Sequence, residues 1–540
     1  MDKHISLLGF LSVVHILLAH FGLAKCVATY TSVCTQTPYP ELCNSLISTT
    51  SPETTLDDEN LFDFLDISLK RTLAQSQNTH KLISEMDLSS FTELGKSAWS
   101  DCLELYEDSV YQLNRSVGSN IDAQTWLSAA IANGKACENG FIDFNLLSHL
   151  ESFSMLISDF PKFLSNSLAI NNILMAASSS VPSSLYSNKQ NRNRRLLAND
   201  HFPEWVSARD RKLLQSTIKA DIVVAQDGSG NYKTISEALA KLAPKRRSGS
   251  KRFVIYVKKG IYKENVEVKK SMKNLMFIGD GIDATIITCS KSVRDGYTTF
   301  RSATFAISGD GFIASGITFE NTAGPQKHQA VALRSGSDLS IFYKCSFKGY
   351  QDTLYVHSQR QFYRDCNIYG TIDFIFGDAV AVIQNCNIYI RKPLTYQKNT
   401  VTAQGRSDPN ENTGIIIHNS HITAAPELIR AHHDHVQTSF KSYLGRPWQK
   451  YSTTIFIKCT IDGLIDPAGW LPWSGNFALS TLYYGEYMNT GLGANTIRRV
   501  KWPGFHVITS VTEAGKFTVR NFLAGDSWIQ ATHVPFTSGL

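Results

Sequence analysis

The sequence predicts two domains: an N-terminal all-α four-helix bundle and a C-terminal all-β parallel β-helix. Three observations predict this. Apolar residues recur at helical spacing through Leu61, Leu65, Leu69 and Leu73, and again from Trp126 to Ile131, where few Gly or Pro interrupt. Short β-rich runs recur 21 and 20 residues apart, at Cys345-Ser346-Phe347, Cys366-Asn367-Ile368-Tyr369 and Cys386-Asn387-Ile388-Tyr389. Self-similarity of that period marks a solenoid with one run per turn. Between the two textures lies a tract rich in Ser and Arg.

A chain of 540 residues holds more than one domain, and 43% hydrophobic content excludes a disordered protein. The net charge of +6 hides an asymmetry. Residues 215–540 carry 37 basic against 24 acidic side chains, whereas residues 1–214 carry 16 against 23. A basic C-terminal part points to an anionic partner: nucleic acid, acidic lipid or acidic polysaccharide.

Taken in order, Met1-Asp2-Lys3-His4 precedes an apolar run from Ile5 to Leu23, with small residues at Ala24 and Ala28. Residues 1–25 read as a secretory signal peptide; His15 and His20 argue against a membrane anchor. Secretion permits disulfides. Residues 26–178 form the helical domain. Its Cys34, Cys43, Cys102 and Cys137 allow three pairings. The simplest, Cys34–Cys43 and Cys102–Cys137, staples an N-terminal hairpin and joins two helices of a bundle. Asn114-Arg115-Ser116 is a glycosylation acceptor. Residues 179–214 form an exposed linker with two basic sites, Arg194-Arg195 and Arg211-Lys212, each followed by Leu-Leu. Both are candidate protease sites.

The β domain spans 215–540. Ile222–Ala225, Phe253–Val257, Leu275–Ile278, Thr285–Thr288, Phe305–Ile307, Phe312–Phe319, Ile415–Ile417 and Thr454–Ile457 read as strands, punctuated by Gly. Thr234 to Leu242 reads as a helix capping the open end of the coil. With few helices between strands, a β-helix fits better than a doubly wound sheet. The period then converts sequence distance into spatial distance. Residues one turn apart stack about 4.8 Å apart. Asp352 and Asp373 are 21 residues apart, and Gln329 precedes Gln351 by 22. The two carboxylates should therefore sit side by side. Neighbouring carboxylates do not both ionise cheaply, so one should stay a proton donor while the other acts as a nucleophile.

Cys289, Cys345, Cys366, Cys386 and Cys459 lie in the β domain. Rung spacing makes Cys345–Cys366 and Cys366–Cys386 both geometrically feasible as disulfides. His432-His433-Asp434-His435 is too tightly spaced to aim its side chains at one ion and reads as a polar loop.

Several blocks carry a resemblance. The Cys34-x8-Cys43 opening and cysteine layout resemble the plant invertase and pectin methylesterase inhibitor family over roughly 150 residues. Gly260-Ile261-Tyr262-Lys263-Glu264, Gln329-Ala330-Val331-Ala332-Leu333, Tyr350-Gln351-Asp352-Thr353-Leu354-Tyr355, Gly370-Thr371-Ile372-Asp373-Phe374-Ile375-Phe376-Gly377 and Leu444-Gly445-Arg446-Pro447-Trp448 resemble, in order, the pectin methylesterases. The linker resembles the cleaved tract of plant pectinesterase precursors.

The resemblance implies a right-handed β-helix that hydrolyses methyl esters of pectin (homogalacturonan), secreted to the cell wall. In it Asp373 is the nucleophile, Asp352 the proton donor, Gln351 with Gln329 the oxyanion donors, and Arg446 the residue that orients Asp373. Thr299, Gln329, Tyr355, Phe376, Arg446 and Trp448 are implied substrate contacts, and Cys366–Cys386 is the implied disulfide. No cofactor, metal, nucleic acid or stable membrane association is expected. The expected partners are pectin, a processing protease, and the helical domain as an inhibitor, within the chain or separate. Asp378, where the family more often has Asn, is expected to tune Asp373. Two alternatives stand beside this reading: a pectate lyase or polygalacturonase-like β-helix enzyme, and an inactive wall-binding protein.

Overall fold

The computed structural model describes residues 28–47, 55–56, 58–119, 122–157, 159–179, 220–242, 251–433 and 440–540. The expected signal peptide, and Arg194, Arg195, Arg211 and Lys212, lie outside the described residues.

Four long helices make the N-terminal unit: α1 (Asp58–Ser84), α2 (Glu93–Ser116), α3 (Ala123–Asp143) and α4 (Phe160–Ser179). The apolar stripe of α1 is buried at Leu61, Phe64, Leu65 and Leu69, because i, i+4 spacing puts these side chains on one face. Thr92 caps α2, its hydroxyl accepting from the Gly95 N–H, which satisfies a backbone donor the helix cannot. Both expected disulfides form. Cys34–Cys43 joins two short helices, Tyr30–Cys34 and Pro40–Asn44, and Cys102–Cys137 ties α2 to α3. Asn114 is exposed near the end of α2.

The C-terminal unit is a parallel β-helix of three sheets, with 11, 8 and 7 strands. The 20-residue repeat is its turn. Ser346 pairs with Asn367, and Asn367 with Asn387, in consecutive turns. Each repeat begins at a corner where one residue takes a left-handed backbone: Lys344, Asp365, Asn385, Asn419 and Lys458 have φ between 49° and 55°. Among non-glycine residues, Asn and Asp tolerate that conformation best. A small side chain follows each, which is why Cys recurs there. The single run expected over Phe312–Phe319 is two strands, Ile313–Ser315 and Thr318–Asn321, split at Gly316 with φ 68°. Inside the coil Phe305, Phe312, Phe319, Phe342, Phe347 and Tyr363 pack ring to ring. The helix Ile235–Leu242 closes one end, burying Ile235, Ala238, Leu239 and Leu242.

One implied disulfide is absent. Cys366 and Cys386 are buried free thiols, as are Cys345 and Cys459, and Cys289 is a half-buried one. Stacked corner residues project their side chains in parallel into the coil. Cys366 donates to Phe342 O at 3.3 Å, Cys386 to Gln384 O at 3.3 Å and Cys459 to Ile417 O at 3.3 Å, and the Cys386 sulfur also accepts from the Cys366 N–H at 3.3 Å.

Candidate active site

The site forms at the corner between the 8-stranded and 7-stranded sheets. Thr371–Phe374 link strand Asn367–Gly370 to strand Ile375–Gly377. One turn earlier, residues 349–353 link Ser346–Lys348 to Leu354–Val356. Asp352 and Asp373 both adopt left-handed backbone, with φ 61° and 50°. Such strain in a non-glycine residue persists only where its surroundings fix it. The Asp352 N–H donates to Ile372 O at 3.0 Å, which sets the two acids on adjacent rungs.

Their environments differ. Asp373 is gripped from two sides. Arg446 Nε donates to Oδ1 at 2.8 Å and Nη2 to Oδ2 at 2.5 Å. The Thr400 hydroxyl donates to Oδ1 at 2.6 Å and accepts from the Asp373 N–H at 2.9 Å. Asp352 has no such grip. Burial first, then the negative charges of Asp373 and Asp143, push its carboxyl well above the usual carboxylate range, with Arg446 opposing. The two acids thus sit in different surroundings, one held by Arg446 and Thr400 and the other raised by burial. Gln351 and Gln329 are half-buried on successive rungs, with the Ala330 N–H donating to Gln351 O at 3.2 Å.

An aromatic row borders the acids. Tyr355 pairs with Phe376 in register, and their rings stack at 4.3 Å. Trp448 meets Phe376 edge-on at 5.8 Å.

The helical unit sits on this surface, along α3. Ser128, Ala132, Ala136 and Gly140, four residues apart, are buried, and their small size lets the helix backbone approach the sheet. Ala132 and Ala136 line a narrow crevice with Tyr355, Gly405 and Trp448. Asp143, at the end of α3, accepts from the Thr299 N–H at 2.7 Å. Polar contacts ring the patch. Arg301 pairs with Asp101 at 2.5 Å and with Glu104, while Arg360 reaches Asp122 at 2.6 Å. Arg115 reaches Asp338 at 3.1 Å, and Gln124 donates to Asn410 O at 2.5 Å.

The pectinesterase profile matches residues 221–526, and the plant invertase/pectin methylesterase inhibitor profile matches residues 28–170. The chain belongs to the pectinesterase family. It is 53% identical to a probable pectinesterase/pectinesterase inhibitor of Arabidopsis thaliana, over 95% of this chain and 94% of that one. It is 52% identical to a pectinesterase of Citrus sinensis, over 94% of each chain. Among solved structures, the pectin methylesterase from carrot is 58% identical, with a TM-score of 0.58, over 60% of this chain and 99% of that one.

Within this pectinesterase the structure brings Asp352, Asp373, Gln351, Gln329, Arg446, Tyr355, Phe376 and Trp448 to one corner. Thr299 lies at its edge, under Asp143. Asp378 accepts from Gln404 Nε2 at 3.0 Å and from the Thr413 hydroxyl, and it lines the crevice shared by Tyr355, Gly405 and Trp448. Sequence reasoning missed Thr400, which has no motif around it and lies 27 residues from its partner. It also missed Trp473, whose ring lies 4.3 Å from the Arg446 guanidinium. Among the described residues no group of three or more His, Cys, Asp or Glu is placed to hold a metal, and no helix is long and apolar enough to cross a membrane.

Proposed function

We propose that this pectinesterase hydrolyses the methyl esters of pectin through Asp373, and that its helical domain keeps the cleft closed until the linker is cut. The single observation that carries the first part is the pairing of a gripped acid with a raised one on adjacent rungs. Asp373 attacks the ester carbonyl carbon. The carbonyl oxygen becomes an oxyanion and takes hydrogen bonds from the side-chain amides of Gln351 and Gln329. As the tetrahedral species collapses, the C–O bond to methoxide breaks and Asp352 supplies the proton that completes methanol. An acyl-enzyme on Asp373 remains. Asp352, now ionised, takes a proton from water. The resulting hydroxide adds to the acyl carbon, the bond from that carbon to the Asp373 oxygen breaks, and the Asp373 carboxylate and protonated Asp352 are restored; the polymer departs as a carboxylic acid that gives its proton to solvent. Tyr355, Phe376, Trp448 and Thr299 contact the sugar chain.

The second part is supported by the seating of α3 over Thr299, Tyr355 and Trp448, the surface the polymer would occupy. Arg194-Arg195 and Arg211-Lys212 are the proposed sites for a processing protease, and secretion to the cell wall is the proposed destination.

Methanol release from highly methylated pectin tests both parts. The 215–540 fragment should release methanol, and its Asp373→Asn and Asp352→Asn variants almost none. The full chain should release far less than the fragment. A folded fragment that releases none would overturn the esterase reading. A full chain as active as the fragment would overturn the closure.

A further inference from the structure

One buried cation has no part in that chemistry. Arg334 lies on strand Leu333–Ser335, where Leu333 points into the coil and Arg334 points out. It pairs in register with Tyr355, which pairs with Phe376. Its side chain therefore continues the aromatic row, one rung, about 4.8 Å, beyond Tyr355. Arg334 is only 3% exposed, and its guanidinium lies 3.4 Å from the centre of the Phe300 ring. Its Nε has no hydrogen-bond partner among the described residues. Two acids bear on it: Glu104, which pairs with Arg301, and Glu267 of the β-helix. A buried guanidinium with an unpaired donor is costly to keep.

Arg334 lines a cavity of about 440 Å³ between the two domains. The walls have opposite net charge. Lys269, Lys270, Arg334 and one acid, Glu267, come from the β-helix; Glu104, Glu107 and Asp108 come from α2. Lys270 is in direct contact with Asp108. Lifting the helical domain would remove the acidic wall and leave the basic one open, in line with the aromatics.

We propose that Arg334, flanked by Lys269 and Lys270, is a subsite for a free carboxylate of the acidic polysaccharide. Glu104, Glu107 and Asp108 take that carboxylate's place while the helical domain is seated. The subsite sits a fixed number of rungs from Asp373, so it favours esters that have an already de-esterified sugar nearby. The inference rests on the pectin methylesterase reading and supplies that enzyme with a substrate preference.

The experiment is calorimetric binding of two sugar hexamers to the 215–540 fragment. The carrot protein, whose solved chain matches the β-helix part over 99% of its length, shows that this unit folds by itself. One probe is unesterified galacturonate hexamer and the other its fully methyl-esterified form. Arg334→Gln should weaken the unesterified hexamer by about tenfold or more, the worth of a hydrogen-bonded charge. It should change the esterified one by less than about twofold. Lys270→Gln, at the open wall, should shift binding in the same direction by less and serves if Arg334→Gln does not fold. Equal affinity of the native fragment for both hexamers, or equal weakening of both by Lys270→Gln and any folded Arg334→Gln, would overturn the subsite. Methanol release by the same fragment reads the esterase separately. Selective binding without methanol would remove the esterase and leave the carboxylate subsite standing.

Discussion

Arg446 holds Asp373 in a two-pronged grip, Nε to Oδ1 at 2.8 Å and Nη2 to Oδ2 at 2.5 Å. A planar guanidinium matches a carboxylate in a way a single ammonium does not. The grip fixes the position and orientation of the Asp373 carboxylate. Arg446→Lys should keep the charge yet lose the fork, lowering kcat for methanol release by about tenfold to a hundredfold, equivalent to roughly 1.5–3 kcal/mol. Thr400→Val removes only the other hold on Asp373 and should cost less, about tenfold. An Arg446→Lys enzyme with native kcat would show that orientation of Asp373 does not depend on the fork.

The neighbouring Asp352 supplies a pH test. Its carboxyl is raised by burial first and by the Asp373 charge second. Neutralising that neighbour in Asp373→Asn should lower the Asp352 pKa without restoring it to the ordinary value, because burial remains. Carboxyl carbon NMR on the two proteins reads this directly. The sign for catalysis follows. The first step needs protonated Asp352, so kcat/KM should fall as pH rises through its raised pKa. A profile still rising there would exclude Asp352 as the acid.

How much of this was legible in the sequence depends on the kind of constraint. The repeat of about 20 residues placed Asp352 beside Asp373 because a β-helix turns repetition into adjacency, and the pairing of Leu354 with Ile375, 21 residues apart like the two acids, sets that register. The helical stripe through Leu61, Leu65 and Leu69 and the two bundle disulfides were equally local. The Cys366–Cys386 bond was not. Rung spacing allows it, but both thiols are free and each donates to a backbone carbonyl. Contacts between the domains left no trace in the pattern. Nothing near Asp143 marks it as the partner of Thr299, 156 residues away.

Asp143 makes domain seating pH-dependent. Burial at the interface pushes its carboxyl up to about 6, against the Thr299 N–H that favours the charged form; Asp101 nearby adds to the rise. A carboxyl whose pKa is raised in the seated state stabilises that state at low pH, and the contribution is lost as pH rises through about 6. The shift corresponds to roughly 3 kcal/mol at most, about a hundredfold in the seating equilibrium. With the linker cut, the helical unit should stay bound at about pH 5 and leave more readily at about pH 7.5, as read by size-exclusion chromatography. Asp143→Asn should flatten that dependence. A native pair equally tight at both values would rule Asp143 out as the group responsible.

Closure of the cleft can also be tested without touching any charge or any residue of the esterase. Ala136 is 4% exposed and faces a crevice bounded by Tyr355, Gly405 and Trp448. That crevice has no room for a larger side chain. Ala136→Trp should therefore unseat α3, at a cost of about 1–3 kcal/mol from overpacking. The Cys102–Cys137 bond, one residue along, should hold the bundle itself together. The uncut full chain should then release methanol at a rate approaching that of the 215–540 fragment, while the helical content read by circular dichroism stays native. If the variant is folded and as silent as the native chain, the seating of α3 over Tyr355 and Trp448 is not what silences the enzyme.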